Sequence, residues 1–155
     1  MSTAFDYQNL VPYLVVKGAQ KAIEFYKKAF GAEERYRLTS GEHLVGHAEL
    51  LIAGQVVMLA DEFPGMSTSP DTLGGTSTRF ILMVPNADEA VQRAVEAGAT
   101  LVVPLNDAFY GYRMASVKDP FGHQWLIQHE IEKVEVAEMQ RRWDAMMSKC
   151  APKES

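Results

Sequence analysis

His47 and Glu49 stand two residues apart in the string HAELLI, and that spacing puts both side chains on one face of an extended chain. Their neighbours Ala48, Leu50 and Ile52 are apolar and suit the opposite, helix-covered face. A carboxylate beside an imidazole holds its tautomer, which is the arrangement that general acid–base catalysis uses. The same pair offers two metal ligands, although a third would have to come from elsewhere. It can equally lend polarity to a binding pocket or be a structural cross-strand pair; the two residues alone leave these readings open. Arg79 opens the apolar run RFILMV. A guanidinium in apolar surroundings needs an anion, either Glu49 or the acid group of a ligand. Phe109, Tyr110, Tyr112 and Arg113 gather around Gly111, a composition that can cover a pocket and stack on a flat ligand, or simply plug the end of a sheet. His123 is expected to be exposed in a turn, and His43 and His129 to have no special role. Cys150 is the single cysteine, so neither an internal disulfide nor a zinc ribbon can form, and an inert thiol is expected.

The elements that must position these residues can be read from hydrophobic period and turn chemistry. Residues 10–16 (LVPYLVV) form an apolar run expected to be a strand buried on both faces, with Pro12 marking an edge or a bulge. Residues 19–30 form a helix, with Ala22, Phe25, Tyr26, Ala29 and Phe30 on one stripe and Gly31 as its stop. Short strands are expected at about 34–39, 47–52 and 55–60, with turns at Ser40-Gly41 and Ala53-Gly54. Residues 62–77, rich in Pro, Gly, Ser and Thr, read as a linker. The pattern then restarts: a strand at 78–84, a helix at 87–97, and strands at 100–105, 112–118 and 124–129, with a polar and aromatic loop at 106–111.

The restart is an internal repeat. Val16 corresponds to Val84, Ala22 to Ala90, Gly31 to Gly98 and Gly54 to Gly122, at offsets of 68, 68, 67 and 68 residues. The expected fold is α+β: two tandem βαβββ modules forming a cupped mixed sheet with helices outside. Module one spans about 8–61 and module two about 78–130, within a single domain of 155 residues. A C-terminal helix at about 134–149 carries Met139, Trp143, Met146 and Met147 on one stripe, which suits core packing or a subunit contact.

Bulk composition narrows the partners. Hydrophobic residues make up 47% and charged residues 23%, and the net charge is −5. That balance argues against nucleic acid and against an anionic membrane surface, both of which need a basic face. No apolar stretch is long enough to span a bilayer, and the first residues lack the features of a secretory signal, so a cytoplasmic location is expected.

Two βαβββ modules, the first reading YLVVKGAQKAIEFYKKAFGAE and the second ending VKDPFGHQW, resemble the vicinal oxygen chelate superfamily. That superfamily includes glyoxalase I, extradiol dioxygenases, fosfomycin-resistance transferases and bleomycin-binding proteins. The resemblance covers residues 10 to about 129. The strings HAEL, MLADE and DPFGHQW are similar to a glyoxalase-like branch often labelled demethylubiquinone-methyltransferase-like. In the superfamily's enzymes a divalent metal sits in the cup on His or Glu ligands from the first and last strands of each module. The resemblance places those positions at Val11, Met58, Arg79 and Leu126. Three are apolar and the fourth carries a permanent positive charge, so no metal at the usual site and no cofactor are expected.

With those positions facing the cup, strand alternation assigns Tyr13, His47, Glu49 and Met58 of module one to the cup, and Arg79, Gln124, Leu126 and Gln128 of module two, with Tyr110 and Arg113 at its rim. These ten are the expected ligand-binding residues, with His47 and Glu49 the catalytic candidates. The reading is a metal-free binder of a small organic ligand, forming a homodimer. The alternative is a lyase, isomerase or other enzyme of the same superfamily, using His47 and Glu49 as an acid–base pair or as off-pattern metal ligands.

Overall fold

The computed structural model describes residues 6–152. Strand β1 (Tyr13–Val16) leads into helix α1 (Ala19–Phe30), then β2 (Glu33–Ser40), β3 (Leu44–Ile52) and β4 (Gln55–Asp61). A one-turn helix, α2 (Pro70–Leu73), lies in the linker. The second module repeats the order with β5 (Arg79–Met83), α3 (Ala87–Ala97), β6 (Thr100–Ala108), β7 (Tyr112–Lys118) and β8 (Gln124–Glu130). Helix α4 (Val136–Cys150) follows.

Each module folds into one four-stranded mixed sheet, in the order β1-β4-β3-β2 and β5-β8-β7-β6. The first strand of each pairs parallel with the last, and the other pairs are antiparallel. A parallel pair needs a crossover, and α1 and α3 supply it. The two βαβββ modules therefore stand as expected from the repeat. They are two sheets rather than one, since no ladder joins them among the described residues.

Alternation decides the faces. Leu14, Ala48, Leu50, Ile52 and Leu59 of the first sheet are buried, as are Leu82, Ala115, Val117, Trp125 and Ile127 of the second. They face α1 and α3, whose buried residues include Ala22, Ile23, Phe25, Tyr26 and Ala29 on α1 and Ala87, Val91 and Ala94 on α3. These side chains form one continuous core across both modules. The modules are also locked by polar bonds. The buried Tyr26 hydroxyl donates to Asp119 Oδ2 at 2.5 Å, and Trp125 Nε1 donates to the same oxygen at 3.0 Å. His123 Nε2 lies 3.0 Å from the Val15 carbonyl, and Arg93 Nε donates to the Lys28 carbonyl at 2.6 Å.

The repeat extends to how each crossover helix starts. Asp61, at the end of β4, accepts from the backbone N–H of Gly18 and Ala19. His129, 68 residues later near the end of β8, accepts at Nδ1 from the N–H of Ala87, also 68 residues after Ala19. An acceptor from the neighbouring strand thus satisfies the first orphan donor of each helix.

Several expectations change in detail. The first strand begins at Tyr13, not at residue 10, and Leu10 is 85% exposed. Pro12 still adds its carbonyl to the sheet, accepting from Met58 N–H at 2.9 Å. The loop expected from residue 106 is strand through Ala108, because Asn106, Asp107 and Ala108 pair with Met114, Arg113 and Tyr112. His123 is buried, not exposed, since it bridges to the other module. No side chain of α4 is fully buried; Trp143 keeps 44% of its surface exposed and touches Phe109 at 5.7 Å between ring centroids. Among the described residues no helix is long and apolar enough to cross a membrane.

Candidate functional site

The faces turned away from α1 and α3 are the cup faces. On the first sheet the register aligns Tyr13, Met58, Glu49 and Tyr36 in one row across all four strands. Glu49 is only 1% exposed. Its Oε1 accepts from the Tyr7 hydroxyl at 2.8 Å and the Tyr36 hydroxyl at 2.9 Å. Its Oε2 lies 3.7 Å from Arg35 Nη1. The Arg35 guanidinium also sits over the Tyr7 ring, 5.3 Å from the centroid. Burial pushes the Glu49 carboxyl up, but the two tyrosine hydroxyls, His47 and the Arg35 charge outweigh it and hold the group below its ordinary value. The partners respond in kind: the hydrogen bond to Glu49 raises Tyr7 and pushes Tyr36 up to about 12.

His47 completes this group. Its Nδ1 lies 2.9 Å from Tyr13 Oη, and its Nε2 lies 3.6 Å from Glu49 Oε1. A phenol, an imidazole and an anionic carboxylate therefore stand in sequence on one sheet. Such a series can move a proton or present a graded set of donors and acceptors to a ligand.

On the second sheet Arg79, Ile81 and Met83 pair with Gln124, Leu126 and Gln128 on the cup face. Arg79 is exposed and forms no ion pair among the described residues. The anion the sequence offered it, Glu49, is instead an ionic neighbour of Arg35. The Tyr110 hydroxyl donates to Gln128 Oε1 at 3.3 Å. Arg79, Tyr110, Leu126, Met114 and Met146 of α4 line a cavity of about 620 Å³. Arg113 takes no part in it. Its strand parity turns it to the helix side, where it donates to both carboxylate oxygens of Asp88 at 2.7 and 2.8 Å and to Asp107 at 3.0 Å.

The structure thus gathers Tyr13, His47, Glu49 and Met58 on one cup face and Arg79, Tyr110, Gln124, Leu126 and Gln128 on the other. Sequence reasoning missed Tyr7, Arg35 and Tyr36. Tyr36 stands opposite Glu49 only through a register shift between Leu38 and Thr39, which the turn at Ser40-Gly41 does not specify. Tyr7 lies outside any strand and Arg35 depends on a register shift in β2, so neither had a local signal.

Residues 8–127 match the family model of the Glyoxalase/Bleomycin resistance protein/Dioxygenase superfamily. The chain belongs to this superfamily. An uncharacterised protein of Mycobacterium tuberculosis is 43% identical over 135 residues, covering 84% of this chain and 79% of the relative. The X-ray structure of an Arabidopsis thaliana gene product superposes with a TM-score of 0.64 at 30% identity, over 79% of this chain and 98% of that one. The fosfomycin resistance protein FosX of Listeria monocytogenes, solved with Mn(II) and sulfate, shares the fold at a TM-score of 0.58 and 17% identity, over 92% of this chain and 99% of that one. These findings speak to the glyoxalase superfamily as a whole and not to its methyltransferase-labelled branch. Within it, the four positions assigned to the metal by resemblance are a poor donor set here. Val11 and Leu126 have no donor atom, Met58 offers a soft thioether, and Arg79 is a cation. Among the described residues no group of three His, Cys, Asp or Glu side chains could hold a metal ion.

Proposed function

We propose that the protein is a small-molecule-binding member of the glyoxalase superfamily that holds its ligand on the cup face without a divalent ion at the usual position. The observation that carries this reading is the cup-face cavity of about 620 Å³ walled by Tyr110, Leu126 and Met114 beside Arg79. Ligand sites have this size and this mixture, mostly apolar with a few placed polar groups. The reading includes a homodimer working in the cytoplasm, with no nucleic-acid partner. A thermal-shift screen of metabolites and antibiotics, run with EDTA and then with Mn²⁺ or Zn²⁺, tests it. Stabilising compounds should give the same shift under both conditions. Stabilisation that appears only with added metal, together with an anomalous peak at Val11, Met58, Arg79 and Leu126 in metal-soaked crystals, would remove the metal-free reading.

The contact series Tyr13–His47–Glu49 favours a second reading, a lyase or isomerase. In it His47 exchanges a proton with the substrate while Glu49 orients the ring and balances its charge. His47→Gln should then abolish turnover of a compound found in the screen while leaving its binding within about threefold, because a lost proton carrier acts on the chemical step.

A further inference from the structure

The geometry points to an organic anion as the ligand of the cavity beneath α4, its acid group on Arg79 and its flat apolar body against Tyr110, Leu126 and Met146. This rests on the reading of the cup face as a ligand site and names the chemical class that site takes.

Charge decides the class. Among the described residues lining the cavity, Asp107 is the one carboxylate, and Arg113 donates to it at 3.0 Å. Arg113 also holds Asp88, so one guanidinium is shared by the two carboxylates at this corner. Arg79 is left as a positive charge facing the cavity with no carboxylate set against it. Its field reaches the cavity wall, where it lowers the Tyr110 hydroxyl against the burial that raises it. Two of the remaining donors already have partners: Asn106 Nδ2 donates to the Pro104 carbonyl at 2.9 Å, and the Tyr110 hydroxyl to Gln128. A carboxylate, sulfonate or phosphate meets at Arg79 a guanidinium that presents a fork of donors.

Shape decides the rest. Apart from its polar groups the lining is apolar and aromatic: Val103, Met114 and Leu126, with Phe109 and Tyr110, and Met146 from α4. Phe109 holds α4 there through Trp143, and Arg142 Nη1 donates to the Phe109 carbonyl at 3.1 Å. By resemblance, Arg79 occupies a position that carries a metal ligand in the superfamily's enzymes. A guanidinium can hold an anionic oxygen there without a bound ion.

The test uses 1-naphthoate and its uncharged isostere 1-naphthamide, titrated calorimetrically into the full chain and into Arg79→Met and Arg79→Lys. Wild type should bind naphthoate at least about tenfold more tightly than naphthamide, the Met variant should bind the two alike, and the Lys variant should keep the preference for the acid in weaker form. With methyl-labelled methionine, naphthoate should shift the Met146 and Met114 signals and leave Met58 unmoved. Equal binding of the two probes by wild type, or a response at Met58 in place of Met146, overturns the anion assignment while ligand binding stands. No binding of either probe at millimolar concentration overturns both readings. Arg79 has no internal ion pair to lose, so the variants should melt as wild type does. The wild-type comparison of the two probes decides the matter even if they do not.

Discussion

Glu49 is a carboxylate almost wholly withdrawn from water yet held in its charged form by two phenols, an imidazole and a guanidinium. A carboxyl whose folded-state pKa is depressed binds protons more weakly in the native chain than in the unfolded one. The stability it contributes is therefore fully present above the ordinary carboxylate value of 4.5 and is lost as pH falls through the lowered value. Glu49→Gln should cost about 1–3 kcal/mol near neutral pH, since it strips charge from several hydrogen bonds at once. The gap between variant and wild type should narrow in urea titrations repeated below pH 4.5. An undiminished gap there would mean that the carboxylate's charge is not what matters. The His47–Glu49 pair was legible because a period of two on an otherwise apolar strand admits one interpretation of facing. Its surroundings were not. Arg79 looked in the sequence like a partner for Glu49, but an ion pair across two sheets depends on how the modules dock, which no local pattern encodes.

At the scale of elements, the strands and helices follow from patterning, and the exceptions lie at their ends. Strand β6 runs past its expected end because pairing with β7 overrides the loop-like composition of Asn106 and Asp107. The two crossover helices start on different acceptors at equivalent positions, Asp61 and His129, which a search for a capping residue before each helix does not find. Asp61 also accepts from Val45 N–H at 2.8 Å. Asp61→Ala should therefore cost about 1–2 kcal/mol and speed amide exchange at Gly18, Ala19 and Val45 together. His129→Ala should release Ala87 alone. Gly111 is a second end that matters. Its φ is +91°, and a Cβ there would meet the Glu132 carbonyl oxygen at 2.2 Å. Gly111→Ala should cost on the order of 1–3 kcal/mol and displace the segment leading into α4. Loss of the near-ultraviolet dichroism from the Phe109–Trp143 contact would report it; a spectrum identical to wild type would show that α4 is held by other means.

For the whole molecule, much apolar surface on the cup faces and on α4 has no partner within the chain: Ile81 is 59%, Met83 51% and Val136 80% exposed. Contiguous apolar surface of this kind suits a contact between two copies, which is the homodimer proposed above. Light scattering at micromolar concentration should give twice the 17.2 kDa chain mass, and Met83→Glu should shift it toward the single value; a species of 17.2 kDa in wild type would exclude the dimer. The repeat made the two modules readable as halves of a single domain. The bond from Tyr26 to Asp119 joins those halves across 93 residues of sequence. During synthesis α1 is complete long before residue 119 has been added, so its Tyr26–Phe30 face must wait, bare, for the turn that will cover it. The first half of this protein is thus a client of the second, exposed on the ribosome for the time needed to make the rest. A fragment ending at residue 77 should accumulate as insoluble material or bind chaperones, and should recover its structure only when residues 78–155 are supplied.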